Sequence, residues 1–262
     1  MTERGAVGRL GRAAAITTVA GMVGGAALLA GQALVARARR YAQPRLTFGI
    51  RATVGAAQAT PLRLVMLGDS SAAGAGVDRV DDTVGGQLAH LLAEGSGLRV
   101  HLSSVGVSGS RSTDLTTQVA RALLGDRPDV AVVLIGANDA VAARRPGEAA
   151  AYLGAAVRRL RDAGVEVVVG TCPDLGAVRA IAQPLREVAG WWGRRTAHAQ
   201  HRAVVAAGGA VVDIGAETGA VFRADAGTLC YDGFHPSADG YRVWAHALLP
   251  AVTTAATAAR RV

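Results

Sequence analysis

From Leu62 onward the chain alternates short apolar runs with longer amphipathic stretches. The candidate strands are 62–67, 98–105, 130–135, 165–170 and 210–214, and the candidate helices are 83–93, 112–124, 147–163, 184–207 and 238–254. Almost continuously apolar strands that alternate with helices are typical of a parallel sheet that is covered on both faces. We therefore predict an α/β fold, a three-layer α/β/α sandwich around a five-stranded parallel sheet.

The N-terminal part of the chain has a different pattern. Residues 1–40 form a basic region in which 13–36 carry no charge and have arginines on both sides, a run long enough to span a bilayer. We interpret it as a signal anchor or membrane span, while a cleaved signal peptide and a soluble Ala/Gly-rich helix remain alternatives. Residues 41–61 contain Pro and Gly and are predicted to be a linker, which leaves 62–254 as the main domain and 255–262 as a tail.

This organisation predicts a location. Signal anchors usually precede an exported domain, so we expect a membrane-anchored protein whose main domain lies outside the cytoplasm. Cleavage near residues 36–38 would instead give a secreted protein. A chain of 262 residues has room for one ordinary α/β domain and a small appendage.

Charge and composition exclude several classes of protein. The net charge is +8, but residues 1–51 account for +7 of it, so the main domain is close to neutral and does not favour nucleic acid binding. All 28 basic residues are arginine, which excludes the Walker A phosphate loop and lysine Schiff bases. Two cysteines are too few for a disulfide-stapled scaffold or a multi-cysteine zinc module.

A serine follows the first predicted strand. Ser70 stands in the run Gly-Asp-Ser-Ser-Ala-Ala-Gly that begins at Gly68, a turn of small residues at the carboxyl edge of the sheet. Ligands of open α/β sheets bind at that edge, so this hydroxyl is a candidate nucleophile. The tripeptide Gly-Asp-Ser is also an ordinary turn sequence, and alone it does not identify a site.

Two further loops follow the second and third strands. One contains Gly109 in Gly-Val-Ser-Gly-Ser, and the other contains Asn138 in Gly-Ala-Asn-Asp. Small residues let backbone N–H groups approach a ligand, and an Asn amide donates a hydrogen bond without exchanging a proton, as stabilisation of an oxyanion requires. The alternative is a pair of ordinary β-to-α turns in which Asn138 or Asp139 caps the next helix.

A carboxylate and a histidine precede the last predicted helix. Asp232 and His235 lie three residues apart in Tyr-Asp-Gly-Phe-His-Pro, so the carboxylate can orient the imidazole and stabilise its cationic form. An isolated surface histidine is the alternative. His198 and His201 lack further ligands nearby, and no metal site is expected there.

These blocks, in this order, resemble the SGNH (GDSL-like) hydrolase family, in particular its actinobacterial members. The resemblance covers about 62–250 and implies a flavodoxin-like sandwich with Ser70 as nucleophile, His235 as base and Asp232 as its orienting carboxylate. It also implies an oxyanion hole made by the backbone N–H groups of Ser70 and Gly109 and the side chain of Asn138. The leucine of the GDSL motif is Ser71 here, and an Asn often found before the second-block glycine is Ser104.

We therefore predict a serine esterase that hydrolyses a carboxylic ester, acyl or acetyl, through an acyl-enzyme and without a metal or organic cofactor. The expected partners are a small-molecule, lipid or sugar ester and a membrane bound through the N-terminal segment, with no nucleic acid. Acetyl transfer to or from a cell-envelope sugar on the same residues is one alternative. A membrane-tethered binding module without activity is the other.

Three expectations remain for the structure to address. A fragment that begins near Leu62 contains every candidate catalytic residue, so we expect it to be active. Trp191 and Trp192 are adjacent on a predicted helix and are expected in the core rather than in an acyl pocket. Cys172 and Cys230 are predicted to border one site, either as two thiols, which we favour, or as a disulfide.

Overall fold

The computed structural model describes residues 24–36, 38–39, 41–46 and 49–261. The strands are β1 (Arg51–Val54), β2 (Thr60–Gly68), β3 (Leu98–Ser104), β4 (Val130–Leu134), β5 (Glu166–Gly170) and β6 (Ala210–Val212). The helices are α1 (Val84–Ser96), α2 (Leu115–Ala122), α3 (Ala137–Val141), α4 (Pro146–Asp162), α5 (Leu185–Ala206), α6 (Ile214–Ala224) and α7 (Ala238–Ala259), and residues 24–36 are also helical. The strands form one sheet in the order β1-β3-β2-β4-β5-β6.

The residues of β2 explain why helices cover both faces of the sheet. Leu64 and Met66 point to one face, where they join a buried cluster with α1 and α7, while Val65 and Leu67 join a second cluster with α2 and α4 on the other face. All four side chains are buried because a central strand of a covered parallel sheet contacts helices on both faces. The prediction of a three-layer α/β/α sandwich is confirmed.

The predicted number of strands is wrong, because the sheet has six strands and not five. The additional strand, Arg51–Val54, pairs antiparallel with β3 and lies inside the range 41–61 that was predicted to be a linker. Its four residues alternate between exposed and half-buried. An edge strand this short has no continuous apolar run, so the criterion that found the other five strands could not find it.

The helix α7 also extends beyond its predicted end at 254. It runs to Ala259, and Ala255 and Ala256 are buried against the core, so most of the predicted tail 255–262 is part of the domain. Two helices, α3 and α6, were not predicted. The helix α6 begins at Asp213, whose side chain accepts a hydrogen bond from the N–H of Ala216, as an N-cap does.

The helical residues 24–36 contact the domain through one face. Leu29, Gln32, Ala33 and Ala36 are half-buried, and their spacing places them on one side of a helix. The amide of Gln32 donates to the carbonyl of Gln183 and accepts from the first N–H of α5. No helix in the described part of the chain has both the length and the apolar character of a membrane span, and residues 13–23 of the predicted span lie outside the described residues.

Candidate active site

The candidate residues lie at the carboxyl edge of the sheet, where the strand order reverses. The chain leaves β2 towards β3 on one side and leaves β4 towards β5 on the other, and such a divergence opens a crevice between the two strand ends. Ser70 follows β2, Gly109 follows β3 and Asn138 follows β4. The structure brings these three residues together with His235 in the lining of one groove.

The turn that carries Ser70 is tightly constrained. Gly68 has a φ of +136°, and a Cβ at this position would lie 1.8 Å from the carbonyl oxygen of Leu134, so a glycine is required there. The side-chain amide of the buried Gln118 donates to the carbonyl of Gly68 at 2.8 Å and accepts from its N–H at 2.7 Å. These contacts define the position of the residues that precede Ser70.

A line of hydrogen bonds joins the three predicted catalytic side chains. His235 Nε2 lies 2.9 Å from Ser70 Oγ, and His235 Nδ1 lies 2.7 Å from Asp232 Oδ2. All three residues are buried. Although Ser70 and His235 are 165 residues apart in sequence, their polar atoms are within hydrogen-bonding distance.

The surroundings of Asp232 determine how the histidine is protonated. Burial acts to raise the pKa of Asp232, but hydrogen bonds from His235, the backbone N–H of Ala42 and the N–H of Phe234 outweigh it and hold the pKa well below its usual range. An ionised carboxylate only accepts hydrogen bonds, so Nδ1 of a neutral imidazole must carry the proton. Nε2 is then an acceptor for the Ser70 hydroxyl, the arrangement that a general base requires.

Three residues that line the groove at Ser70 carry hydrogen-bond donors. Among the described residues, the backbone N–H groups of Ser70 and Gly109 have no hydrogen-bond acceptor. Gly109 has a φ of +81° and open space on the side where a Cβ would stand. The Asn138 amide donates one hydrogen to the carbonyl of Ser110 at 3.0 Å and has a second hydrogen to offer. This is the donor set that an oxyanion hole needs.

Buried polar side chains hold these loops against one another. Asp139 accepts hydrogen bonds from the backbone N–H and the hydroxyl of Ser112, which connects the loops after β4 and β3. Gln200 donates to the carbonyl of Ile135 and accepts from the N–H of Cys172. Asn138 and Asp139 lie within the helix α3, whose N-cap position is Gly136, so neither of them caps it.

Sequence reasoning missed two of these positioning residues. Gln118 and Gln200 lie on helices, and nothing in the motifs points to them. The available signal is a polar residue on an otherwise apolar helix face, since Gln118 lies between the buried Leu115 and Val119. A buried amide without a nearby side-chain partner in sequence indicates contact with backbone groups.

Of the two departures from the family motif, Ser104 has a local explanation in its side-chain contacts. Ser104, where the family often has Asn, donates to the carbonyl of Ala72 at 2.8 Å and accepts from the N–H of Gly106 at 3.1 Å, so it connects the end of β3 to the turn of Ser70. The N–H of Ser71 donates to the buried carboxyl group of Asp69 at 3.0 Å. Burial raises the pKa of Asp69 to about 6, although the hydrogen bond from Ser71 acts in the opposite direction.

Both cysteines are free thiols in the structure, so the disulfide alternative is not realised. Cys172 is buried, and burial raises its pKa far above the usual range. Cys230 donates from Sγ to Asp232 Oδ1 at 3.2 Å, and burial raises its pKa to about 11, so it remains a protonated donor. In the ranges that the structure describes, no group of three or more His, Cys, Asp or Glu side chains could hold a metal ion.

The groove beside Ser70 has a volume of about 600 Å³ and includes both adjacent tryptophans. Trp191 is 47% exposed, and Trp192 is half-buried with its indole N–H donating to the carbonyl of Arg144. The expectation that both belong to the core is therefore wrong for Trp191, while Trp192 packs against a buried cluster around Leu175. The polar face of α5 is only partly exposed to solvent here, and both indoles line the groove.

Comparison with known proteins agrees with this geometry. The model of the GDSL-like Lipase/Acylhydrolase family matches residues 66–243. The chain belongs to this family. The predicted resemblance to the GDSL-like hydrolase family is confirmed.

Individual relatives and solved structures are similar to this chain. The GDSL-like esterase Rv1075c of Mycobacterium tuberculosis is 43% identical over 198 residues, which cover 75% of this chain and 63% of that protein. The chain thus spans a little under two thirds of that relative's length. The crystal structure of TesA has a TM-score of 0.62 at 18% identity and covers 74% of this chain and 99% of its own. LAE5, an α/β hydrolase from the metagenome of Lake Arreo, has a TM-score of 0.60 at 22% identity, with 75% and 97% covered. At these identities the two structures support the fold alone.

Proposed function

We propose that the protein is a serine esterase that hydrolyses carboxylic esters through an acyl-enzyme on Ser70. The observation that carries the proposal is the unbroken line of hydrogen bonds from Asp232 through His235 to the Ser70 hydroxyl. Membership of the GDSL-like family and the name of the mycobacterial relative, an esterase, support the same reaction class.

The reaction proceeds in two steps. Ser70 Oγ attacks the ester carbonyl carbon while His235 Nε2 accepts the hydroxyl proton, and the negative oxygen is stabilised by the N–H groups of Ser70 and Gly109 and by the Asn138 amide. The bond to the alcohol then breaks, and His235 returns the proton to the leaving alcohol. A water molecule repeats the sequence on the acyl-enzyme and releases the acid, which regenerates the Ser70 hydroxyl.

Fluorophosphonate labelling of the purified protein tests this assignment. We expect the probe to label the wild type on the peptide that contains Ser70, and Ser70→Ala to abolish both labelling and ester turnover. His235→Ala is expected to be comparably severe, because an unassisted hydroxyl is a poor nucleophile at neutral pH. The matched control is Ser71→Ala, which removes the neighbouring hydroxyl of the same turn and is expected to keep labelling. Ester turnover that persists in Ser70→Ala would refute the proposal.

The location of the protein stays a prediction of the sequence. It rests on the uncharged run 13–36 and the arginines on both sides of it. Insertion of this run into a membrane and the groove contact of residues 24–36 in the structure are alternatives, because the same residues cannot do both at once. Fractionation of cells that produce the full chain or a variant starting at residue 24 provides the test. We expect the full chain in the carbonate-resistant membrane pellet and the shortened chain in the supernatant. Recovery of the full chain in the supernatant would contradict the prediction.

A further inference from the structure

The groove beside Ser70 is polar at one end and apolar along the rest of its length. Its polar lining consists of Ser70, Ser108, Gly109, Asn138 and His235 around the nucleophile, with Gln43 nearby. The remaining lining is aliphatic or aromatic and includes Ala33, Ala36, Tyr41, Val188, Trp191 and Phe234. Among the described residues that line it there is no Arg, Asp or Glu. The groove therefore suits an uncharged, apolar group attached to the ester carbonyl.

One wall of this groove comes from the N-terminal part of the chain. Ala33 and Ala36 lie on the half-buried face of the helical residues 24–36, and Val188 and Trp191 of α5 contribute to the same groove. The methyl side chains of Ala33 and Ala36 fill little space, which leaves room for an occupant between the two helices. Leu34, on the other face of the same helix, is 67% exposed and does not line the groove.

Contacts at three places attach this wall to the active-site loops. Gln32 pairs with the backbone at the start of α5, as described above. Arg39 donates to the carbonyl of Ala180 at 2.8 Å. The ring of Tyr41 lies 4.9 Å from that of Phe234, the residue before His235. The wall is thus tied to the loops that carry the catalytic histidine and to the helix opposite.

We propose that the helical residues 24–36 and Tyr41 form the wall of an acyl-chain subsite, in which Ala33 and Ala36 admit a medium-length acyl chain. This inference rests on the proposed function, because the subsite is defined by the acyl group that Ser70 carries. The N-terminal segment then determines which esters the enzyme accepts, whereas the residues that perform the reaction lie elsewhere.

The substitution Ala33→Phe tests the subsite by filling it. With purified protein we would measure kcat/KM for p-nitrophenyl acetate and for p-nitrophenyl decanoate. We expect the value for the decanoate to fall about tenfold or more, because a phenyl ring excludes several methylene groups from an apolar surface, and the value for the acetate to stay within about twofold. The matched control Leu34→Phe places the same ring on the exposed face of the helix and is expected to leave both values unchanged.

A second variant does not depend on how the helix tolerates a larger side chain. Val188 is 45% exposed, so Val188→Glu can be accommodated, and it introduces a charge into the groove. We expect the same selective loss of the decanoate. An equal fall for both esters, or no change for either in both variants, would overturn the subsite. Acetate turnover that still depends on Ser70 in these variants would leave the proposed function standing, so the two proposals can fail separately.

Discussion

The two sides of the groove are built from different kinds of contact. On the sheet side, Ser70 and Asn138 stand directly after buried strands, and fully buried amides such as Gln118 bind the backbone next to them. On the opposite side, the described residues between 24 and 46 are mostly exposed, and they attach through a few hydrogen bonds and the two aromatic contacts of Tyr41.

This difference separates chemistry from selectivity. Groups that take part in proton transfer must be held within a fraction of an ångström, and rigid strand ends and buried hydrogen bonds provide that precision. A wall that only limits the size of an apolar group needs less precision and can rest on fewer contacts. The two sides meet at Asp232, which binds His235 from within the domain and the N–H of Ala42 from the N-terminal segment.

The largest expected effect concerns the sheet-side proton relay. Asp232→Asn replaces an acceptor-only group by an amide that can donate to Nδ1, which favours the tautomer in which Nε2 carries a proton and cannot accept from Ser70. We expect kcat for p-nitrophenyl acetate to fall by about 10³ to 10⁴. The control Asp239→Asn changes an exposed carboxylate on α7 and is expected to have wild-type activity. A fall in kcat of less than tenfold in Asp232→Asn would show that Asp232 does not take part in the proton relay.

The next effect concerns the oxyanion donors. Asn138→Ala removes one of three donors, so we expect kcat to fall by about 10² to 10³ with a smaller change in KM. Steady-state kinetics with p-nitrophenyl acetate separates the two parameters. If kcat were unchanged, Asn138 would have only its structural contact with the carbonyl of Ser110.

A buried acid beside the nucleophile gives a pH-dependent effect on stability. Because the pKa of Asp69 is about 6 when folded and near its ordinary value when unfolded, the native state keeps its proton while the unfolded state loses it between pH 4 and pH 6. The free energy of unfolding therefore decreases as the pH rises through this window, by up to about 3 kcal/mol. Asp69→Asn removes this dependence.

Urea unfolding at pH 4, 5, 6 and 7 measures the Asp69 effect. We expect the free energy of unfolding of Asp69→Asn, minus that of wild type, to increase from pH 4 to pH 7. A difference that the amide adds equally at every pH does not change this trend. Asp239→Asn serves again as the control, with a difference from wild type that does not vary in this way. A flat difference for Asp69→Asn would mean that this carboxyl group is already ionised at pH 4.

The smallest effect concerns the N-terminal side. A variant that lacks residues 1–46 loses the Ala42 N–H donor to Asp232, and a water molecule replaces it only in part. We expect kcat for p-nitrophenyl acetate to fall about tenfold, since hydrogen bonds to charged groups are worth about 1.5–3 kcal/mol. A variant that lacks only residues 1–23 is the comparison and is expected to match the full chain. Equal kcat values for these two variants would show that the hydrogen bond from Ala42 to Asp232 makes no contribution to catalysis.

The expected activity of a fragment starting at Leu62 must be revised for the same reason. Such a fragment lacks β1, which pairs with β3, as well as the donor to Asp232. Backbone N–H groups are present at almost every residue, so no sequence pattern distinguishes the one at Ala42. The segment was predicted to be a linker because it contains Pro and Gly, whereas its contact with Asp232 depends on a main-chain atom.

The sheet side could be predicted because its signals are local. The strands before Ser70 and Asn138 are mostly apolar runs, and the strand before Gly109 alternates apolar and polar residues. The turn after each strand contains small or polar residues at the edge where ligands bind. The contacts of Gln118 and the groove position of Trp191 depend on how helices pack, which residue spacing does not specify. Asn138 is also the single asparagine in the sequence, a feature that singles it out without indicating its partner.

The contact between Ala42 and Asp232 joins residues that are 190 positions apart, and this has a consequence for biosynthesis. At about 5–20 residues per second, a ribosome needs about 10–40 s to reach Asp232 after Ala42 has been made. During that time the nascent chain already contains Ser70 but neither its base nor the carboxylate that orients it. The proposed nucleophile therefore has no base until Asp232 and His235 have been made, and a translation product that stops before them lacks two of the three predicted catalytic side chains.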